Sequence, residues 1–241
     1  MAWSICPATA HDDYIGIIAK SKPSVFIIQV NNNKSFFKTA DERRREKALG
    51  KYAEFYSDSF DSKPSKKIGT GFVVQSNSAF SWMLTAAHVV KKSSKIRVKL
   101  KNGNMCKAQL SYMDAMSDVA LLKVACGDLP VLKLNSSRIL EGQSVVGLGA
   151  AFGFPVSSSL GIISAVGVNL KRKGATGLLQ TDVTVNPGSS GGPLIGVDGG
   201  VVGLITKIFT STGTFSGMSF AVPADELNVL LQKWLVDRPL K

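Results

Sequence analysis

Two histidines in 241 residues leave little choice of general base, and one of them, His88, closes the apolar run SWMLTAAHVV. The other, His11, lies in a polar N-terminal stretch with no obvious companions. A lone histidine behind an apolar strand is ordinarily structural, but two further features change the balance. Asp118 heads the apolar run VALLKV, where a carboxylate can hold an imidazole tautomer and stabilise the imidazolium formed during acyl transfer. Asp114, four residues earlier in the turn-like SYMDAMS, competes for the same role. The third feature is TDVTVNPGSSGGPLIG over 181–196, which sets Ser190 among Gly188, Gly191 and Gly192. A plain surface loop would use the same residue types. Glycines also let several backbone N–H groups converge on one exposed hydroxyl. A phosphate-cradling loop would need a Lys after the glycines, and none follows.

These residues need a scaffold, and the sequence reads as strand after short strand. SVFIIQV precedes a charged stretch over 31–67 that differs sharply in composition and reads as a long insertion, with a helix opening near Thr39. GTGFVVQS, SWMLTAAHVV, KIRVKL, CKAQLSYM, DVALLKV and VLKL then follow, separated by polar or glycine turns. A second set runs QSVVGLGAAFG, SLGIISAVGV, GLLQTDV, GPLIGV, GGVVGLIT and MSFAV. Two runs of short strands spaced by turn signals predict an all-β fold of two packed antiparallel barrels, over about 24–135 and about 140–222. Helices flank them. An Asp pair caps a short helix that must end before Lys22-Pro23, and PADELNVLLQKWL spaces Leu227, Leu230, Leu231, Trp234 and Leu235 as the docking face of a helix over 223–236.

The chain order His, Asp, Ser is that of the chymotrypsin-like double barrel, with the site in the crevice between barrels. GTGFVV, MLTAAHVV, SDVALLKV, QTDVTVNPGSSGGPLIG and GMSFAVP, in that order, resemble the protease domain of the Deg/HtrA (Do-like) serine proteases over about residues 14–235. The resemblance implies a single trypsin-like protease domain over 1–241, with His88 as base, Asp118 as its orienting carboxylate and Ser190 as nucleophile. Gly188 and Ser190, joined by Ser189, would supply the N–H groups of the oxyanion hole. It further implies ATP-independent cleavage of unfolded or damaged polypeptide, no metal or organic cofactor, and a homotrimer. The chain departs from the family in having Ser189 where Asn is usual and in showing no PDZ domain. The insertion falls where relatives carry a variable loop. A latent or chaperone-like binding module on the same fold is the alternative. Thr184 stands six residues before Ser190, where a trypsin-like enzyme would carry a carboxylate. Together with Leu204, Ile205, Thr206 and Phe220 it suggests a pocket for small or medium apolar side chains. Lys207, just beyond, reads as a solvated loop residue or a contact to acidic substrate positions.

The net charge of +12 raises a nucleic-acid or membrane partner, and residues 91–107 hold seven basic residues and no acidic one. The alternation I-R-V-K-L-K puts Arg97, Lys99 and Lys101 on the wet face of a strand, and no aromatics interleave to stack bases. A solvated face is therefore expected there, as for Lys171-Arg172-Lys173, and neither nucleic acid nor membrane is expected as a partner. No apolar run approaches the roughly 18–20 residues that span a bilayer, and the N-terminus shows no secretory pattern. Three scattered cysteines, Cys6, Cys106 and Cys126, with no CxxC pair, read as free thiols. Val89 after His88, where disulfide-stapled secreted relatives have Cys, fits that reading. A reducing compartment, cytosol or nucleus, is expected from them, or an organelle lumen if the chain is trimmed.

Overall fold

Asp13 opens helix α1 (Tyr14–Ser21) by accepting the Gly16 N–H at 2.8 Å, satisfying a donor the helix cannot satisfy itself. Pro23 then limits the chain to one 3-10 turn, Lys22–Ser24, before the first strand. The computed structural model describes residues 13–32, 66–91, 93–135, 137–170, 175–208 and 216–236. His11, Cys6, the helix expected near Thr39 and the 171–173 cluster lie outside the described residues, as does the side chain of Lys207.

Six strands close the first barrel: β1 (Val25–Asn32), β2 (Lys66–Ser76), β3 (Ser81–Ala86), β4 (Ser93–Lys99), β5 (Met105–Asp114) and β6 (Val119–Val124). Their order around it is β1-β2-β3-β6-β5-β4. The second barrel comprises β7 (Ser144–Gly149), β8 (Ser157–Leu170), β9 (Ala175–Thr181), β10 (Pro193–Gly196), β11 (Val201–Ile208) and β12 (Ser219–Pro223), in the order β10-β11-β12-β9-β8-β7. All ladder pairings are antiparallel, as the turn-punctuated sequence predicts. Closure leaves no sheet edge unpaired. β4 shows the local rule plainly: Ile96 and Val98 are buried while Lys95, Arg97 and Lys99 are exposed. Lys101 falls in the exposed turn beyond it.

Two expected strands differ. SWMLTAAHVV stops as a strand at Ala86, and Ala87–Val90 turn into a short helix, α2. The ladder to β6 ends with Ala86 opposite Val119, so the chain must leave the sheet there. VLKL contributes only a single bridge, Leu134 to Val201. The cysteine expectation is corrected outright. Cys106 and Cys126 form a disulfide with 6.0 Å between Cα atoms, so two of the three thiols read as free are bonded.

The larger apolar cluster fills the first barrel and continues into the crevice through Leu148, Leu178, Leu204 and Phe220. A second cluster around Val145, Ile163, Leu179, Val183 and Ile205 fills the second barrel. The C-terminal helix α3 (Ala224–Val236) buries Leu227 and Trp234 against the larger cluster. The Trp234 indole stacks on Tyr112 of β5, with centroids 5.8 Å apart and planes 8° from parallel. Such a pair contributes about 1 kcal/mol beyond its buried area, and it ties the end of the chain to the first barrel.

Candidate active site

Helix α2 presents His88 at the mouth of the crevice, and the residue before β6 supplies its partner. Asp118 adopts a left-handed φ of 62°, unusual for a residue with a side chain, and its carbonyl accepts the Ala87 N–H at 2.8 Å. That bend turns the carboxylate onto His88. Oδ1 accepts the His88 backbone N–H at 2.9 Å, and Oδ2 lies 2.7 Å from ring Nδ1. The Thr206 hydroxyl of β11 also donates to Oδ2, so the second barrel grips the carboxylate of the first. The His88 side chain is 39% exposed and that of Asp118 only 8%. A buried acceptor thus fixes one ring nitrogen as donor and leaves Nε2 as the basic one. Burial pushes the Asp118 carboxyl up. The hydrogen bond and charge of His88, with the Thr206 hydroxyl and the His88 amide, outweigh it and hold the group below the usual carboxylate range.

Asp114 does different work. Its Oδ1 accepts the N–H groups of Met116 and Ser117 at 2.8 and 2.9 Å, pinning the turn that delivers Asp118. The Ser117 amide is the main reason its carboxyl also sits low.

The glycine-rich turn between β9 and β10 is held from outside, chiefly by Thr70 of β2. The Thr70 N–H donates to the Ser190 carbonyl at 2.9 Å, and its hydroxyl donates to the Gly188 carbonyl at 2.7 Å. The same hydroxyl accepts the Ala150 N–H at 2.9 Å. A Cβ on Gly191 would lie 2.2 Å from the Thr70 carbonyl and 2.7 Å from the Ala86 amide nitrogen. The turn therefore packs against the segment that leads into His88, and only glycine fits at 191. Gly188, with φ of 102°, takes a conformation closed to other residues at little strain.

Two peptides of this turn have anchored carbonyls. Phe152 N–H donates to the Pro187 carbonyl at 2.6 Å, and Gly192 N–H to that of Ser189 at 3.0 Å. In a trans peptide the N–H points the other way, so the N–H groups of Gly188 and Ser190 face away from these anchors. No described residue accepts from either. Two free, preoriented donors flanking a hydroxyl can bind a developing oxyanion. Ser189 does not join them, contrary to expectation, because its N–H is spent on the Asn186 carbonyl at 2.9 Å.

The five residues expected to wall a substrate pocket separate. A cavity of about 300 Å³ opens beside the turn, lined by Thr184 and Ile205 together with Leu148, Ser159, Asn186 and Ser189. Leu204 and Phe220 are buried in the larger apolar cluster instead, and the Thr206 hydroxyl is committed to Asp118. Sequence reading missed Thr70 altogether, and assigned Thr206 to a pocket wall rather than to the carboxylate. GTG beside the β-branched run was the available signal for Thr70.

Residues 69–204 match the family model described as the trypsin-like peptidase domain. A Pseudomonas fluorescens protein named "Probable periplasmic serine endoprotease DegP-like" is 44% identical over 164 residues, which covers 68% of this chain and 34% of that protein. A Marinomonas relative of the same name is 33% identical over 240 residues, covering 93% of this chain and 50% of that one. Among solved structures, an HtrA-type protease AlgW with tripeptide superimposes with a TM-score of 0.73 at 26% identity, over 92% of this chain and 63% of that one. The chain thus spans a third to a half of the length of these curated relatives. The relatives' names read periplasmic, which overturns the expected cytosolic or nuclear compartment, and the Cys106–Cys126 bridge removes the free-thiol premise behind it.

Proposed function

Because the chain belongs to the trypsin-like peptidase family, we propose that it is a Deg/HtrA-type serine endopeptidase that cleaves unfolded polypeptide through an acyl-enzyme on Ser190. His88 Nε2 takes the Ser190 hydroxyl proton as the oxygen attacks the scissile carbonyl, then returns it to the leaving amine. Asp118 stabilises the imidazolium between these steps. The Gly188 and Ser190 N–H groups receive the oxyanion, each such donor contributing about 10²–10³ in turnover. Water then enters by the same route and releases the acid. The cavity beside Thr184 and Ile205 has no charged lining residue, and is assigned to an uncharged substrate side chain. Assembly as a homotrimer belongs to the same proposal and rests on the resemblance to Deg/HtrA proteins.

The observation that carries this reading is the 2.7 Å His88–Asp118 contact, which leaves an oriented base at an exposed edge of the crevice. Incubating the purified chain with unfolded casein and with a fluorophosphonate probe tests it. Casein should be cut without ATP, and the probe should label Ser190 by mass spectrometry. A folded protein that does neither would be a binding module on this fold.

Thr70 yields a second expectation. Thr70→Val keeps the side-chain shape but strands the Gly188 carbonyl and the Ala150 amide. Turnover of a peptide ester should drop about 10–100-fold, with KM changed far less. Steady-state kinetics beside thermal unfolding checks this; an equal loss in KM would reassign Thr70 to substrate binding.

A further inference from the structure

The strongest uncommitted feature is the outer wall of the first barrel, where strand register collects the charge that the sequence only shows as a run. In the β4–β5 ladder Arg97 stands directly opposite Lys107, and Lys99 opposite Met105. Lys95 precedes them on the same face of β4, and on β5–β6 Gln109 faces Lys123. Opposed residues share a face, so these cations form a two-dimensional grid. Neighbours along a strand are about 6.6 Å apart and neighbours across strands about 4.8 Å. Lys95, Arg97, Lys99 and Lys107 are all exposed, and none makes an ion pair with a described residue. The four strands concerned, β1, β4, β5 and β6, carry one acidic residue, Asp114 at the last position of β5, and its carboxylate is engaged by the Met116 and Ser117 amides. Like charges directly opposed across a ladder cost stability, yet Arg97 and Lys107 are so placed.

We propose that this wall is a docking surface for an anionic lipid bilayer. Charge complementarity identifies the partner as polyanionic, and shape and side-chain chemistry choose among polyanions. A convex barrel wall touches a plane of headgroups along several strands but cannot enclose a nucleic-acid strand, and the aromatic rings next to it, Phe80 and Trp82, lie against the Lys123 ammonium rather than among Lys95, Arg97, Lys99 and Lys107. An apolar side chain stands on the same face instead: Met105, opposite Lys99, is 38% exposed. Lysine and arginine meet the phosphates, while Met105 reaches the boundary of the acyl region. The solvated face expected from the sequence is, on this reading, solvated only until it docks. The proposal does not depend on the peptidase reading.

Cosedimentation of the full chain with vesicles tests it. Binding is expected to phosphatidylcholine vesicles containing about one third phosphatidylglycerol, to be absent on phosphatidylcholine alone, and to fall steeply with added salt. Replacing Arg97, Lys99 and Lys107 by serine should weaken partitioning about hundredfold, roughly fivefold for each cation removed. The matched control replaces Lys20, Lys133 and Arg138, exposed residues outside β4, β5 and β6, by serine; it should bind nearly as the unaltered chain does. Lys107→Ser alone removes half of the opposed pair and keeps the test open if the triple variant does not fold. Equal losses in the two triple variants would show that net charge and not the wall decides binding. Failure of the unaltered chain to bind anionic vesicles, or retention on duplex DNA alone, would also overturn the proposal.

Discussion

Ser190→Ala is expected to lower kcat for peptide hydrolysis by about 10⁶ while leaving the fold unchanged. The two halves of that expectation have separate physical origins. The Ser190 side chain is half-buried, and its hydroxyl bonds to no described residue. What holds the position is the backbone, through the Thr70 N–H on the Ser190 carbonyl, and alanine keeps that bond. Thermal unfolding should therefore be nearly superimposable. Activity should not survive, because His88 then has no proton to take and the oxyanion donors have only water to assist. Ser189→Ala is the informative companion. Ser189 is buried and donates its N–H to Asn186, an interaction the substitution also keeps, so turnover should stay within about tenfold. Kinetics on a fluorogenic peptide, with the fluorophosphonate probe as a second readout, would separate them. Loss in Ser189→Ala with survival in Ser190→Ala would move the nucleophile one residue upstream.

Much of this arrangement was legible in sequence because it is local. Alternation and turn residues mark the strands, and the glycine knot and the carboxylate before VALLKV mark the candidate site. What escaped depends on register or on the contact between barrels. The disulfide is the clearest case. Counting cysteines and looking for CxxC finds nothing, yet the β5–β6 ladder pairs Ala108 with Val124. Two residues back on one strand and two forward on the other, an antiparallel register brings Cys106 opposite Cys126. A slip of one residue would place one sulfur on the opposite face, so the bond can be anticipated only once the register is known. Thr206 is a different failure. It is 88 residues from Asp118 in the chain, and only the packing of the second barrel on the first brings its hydroxyl to the carboxylate. Thr70 likewise lies 118 residues from the Gly188 carbonyl that it holds. The separated pocket residues have the same cause. Leu204 and Ile205 are adjacent in β11, and alternation sends one to the larger cluster and the other to the barrel interior.

Asp118→Asn should lower kcat by about 10⁴, the second largest loss expected of a single side-chain change. The carboxylate oxygen Oδ2 accepts from both the His88 ring and the Thr206 hydroxyl, and Oδ1 from the His88 amide. An asparagine must give one of those sites to its NH₂ group. If the NH₂ faces the ring, Nδ1 becomes the acceptor and the proton moves to Nε2, so the nitrogen that should take the Ser190 proton is already occupied. The acid side of the pH dependence should change with it. The native carboxyl lies below its ordinary value, so its contribution to stability is present above that value and is lost as pH falls through the lowered one. Asparagine has no such titration, and this part of the acid unfolding curve should flatten. Asp114→Asn provides the contrast. Its Oδ1 accepts two backbone N–H groups in its turn, and an amide oxygen can accept them equally well, so turnover should fall by less than about tenfold. The two variants differ in one respect that decides the assignment: one changes the acceptor of an imidazole proton, the other only the cap of a turn. A larger kinetic loss in Asp114→Asn than in Asp118→Asn would mean that the orienting carboxylate is misassigned, whatever the distances in the resting site.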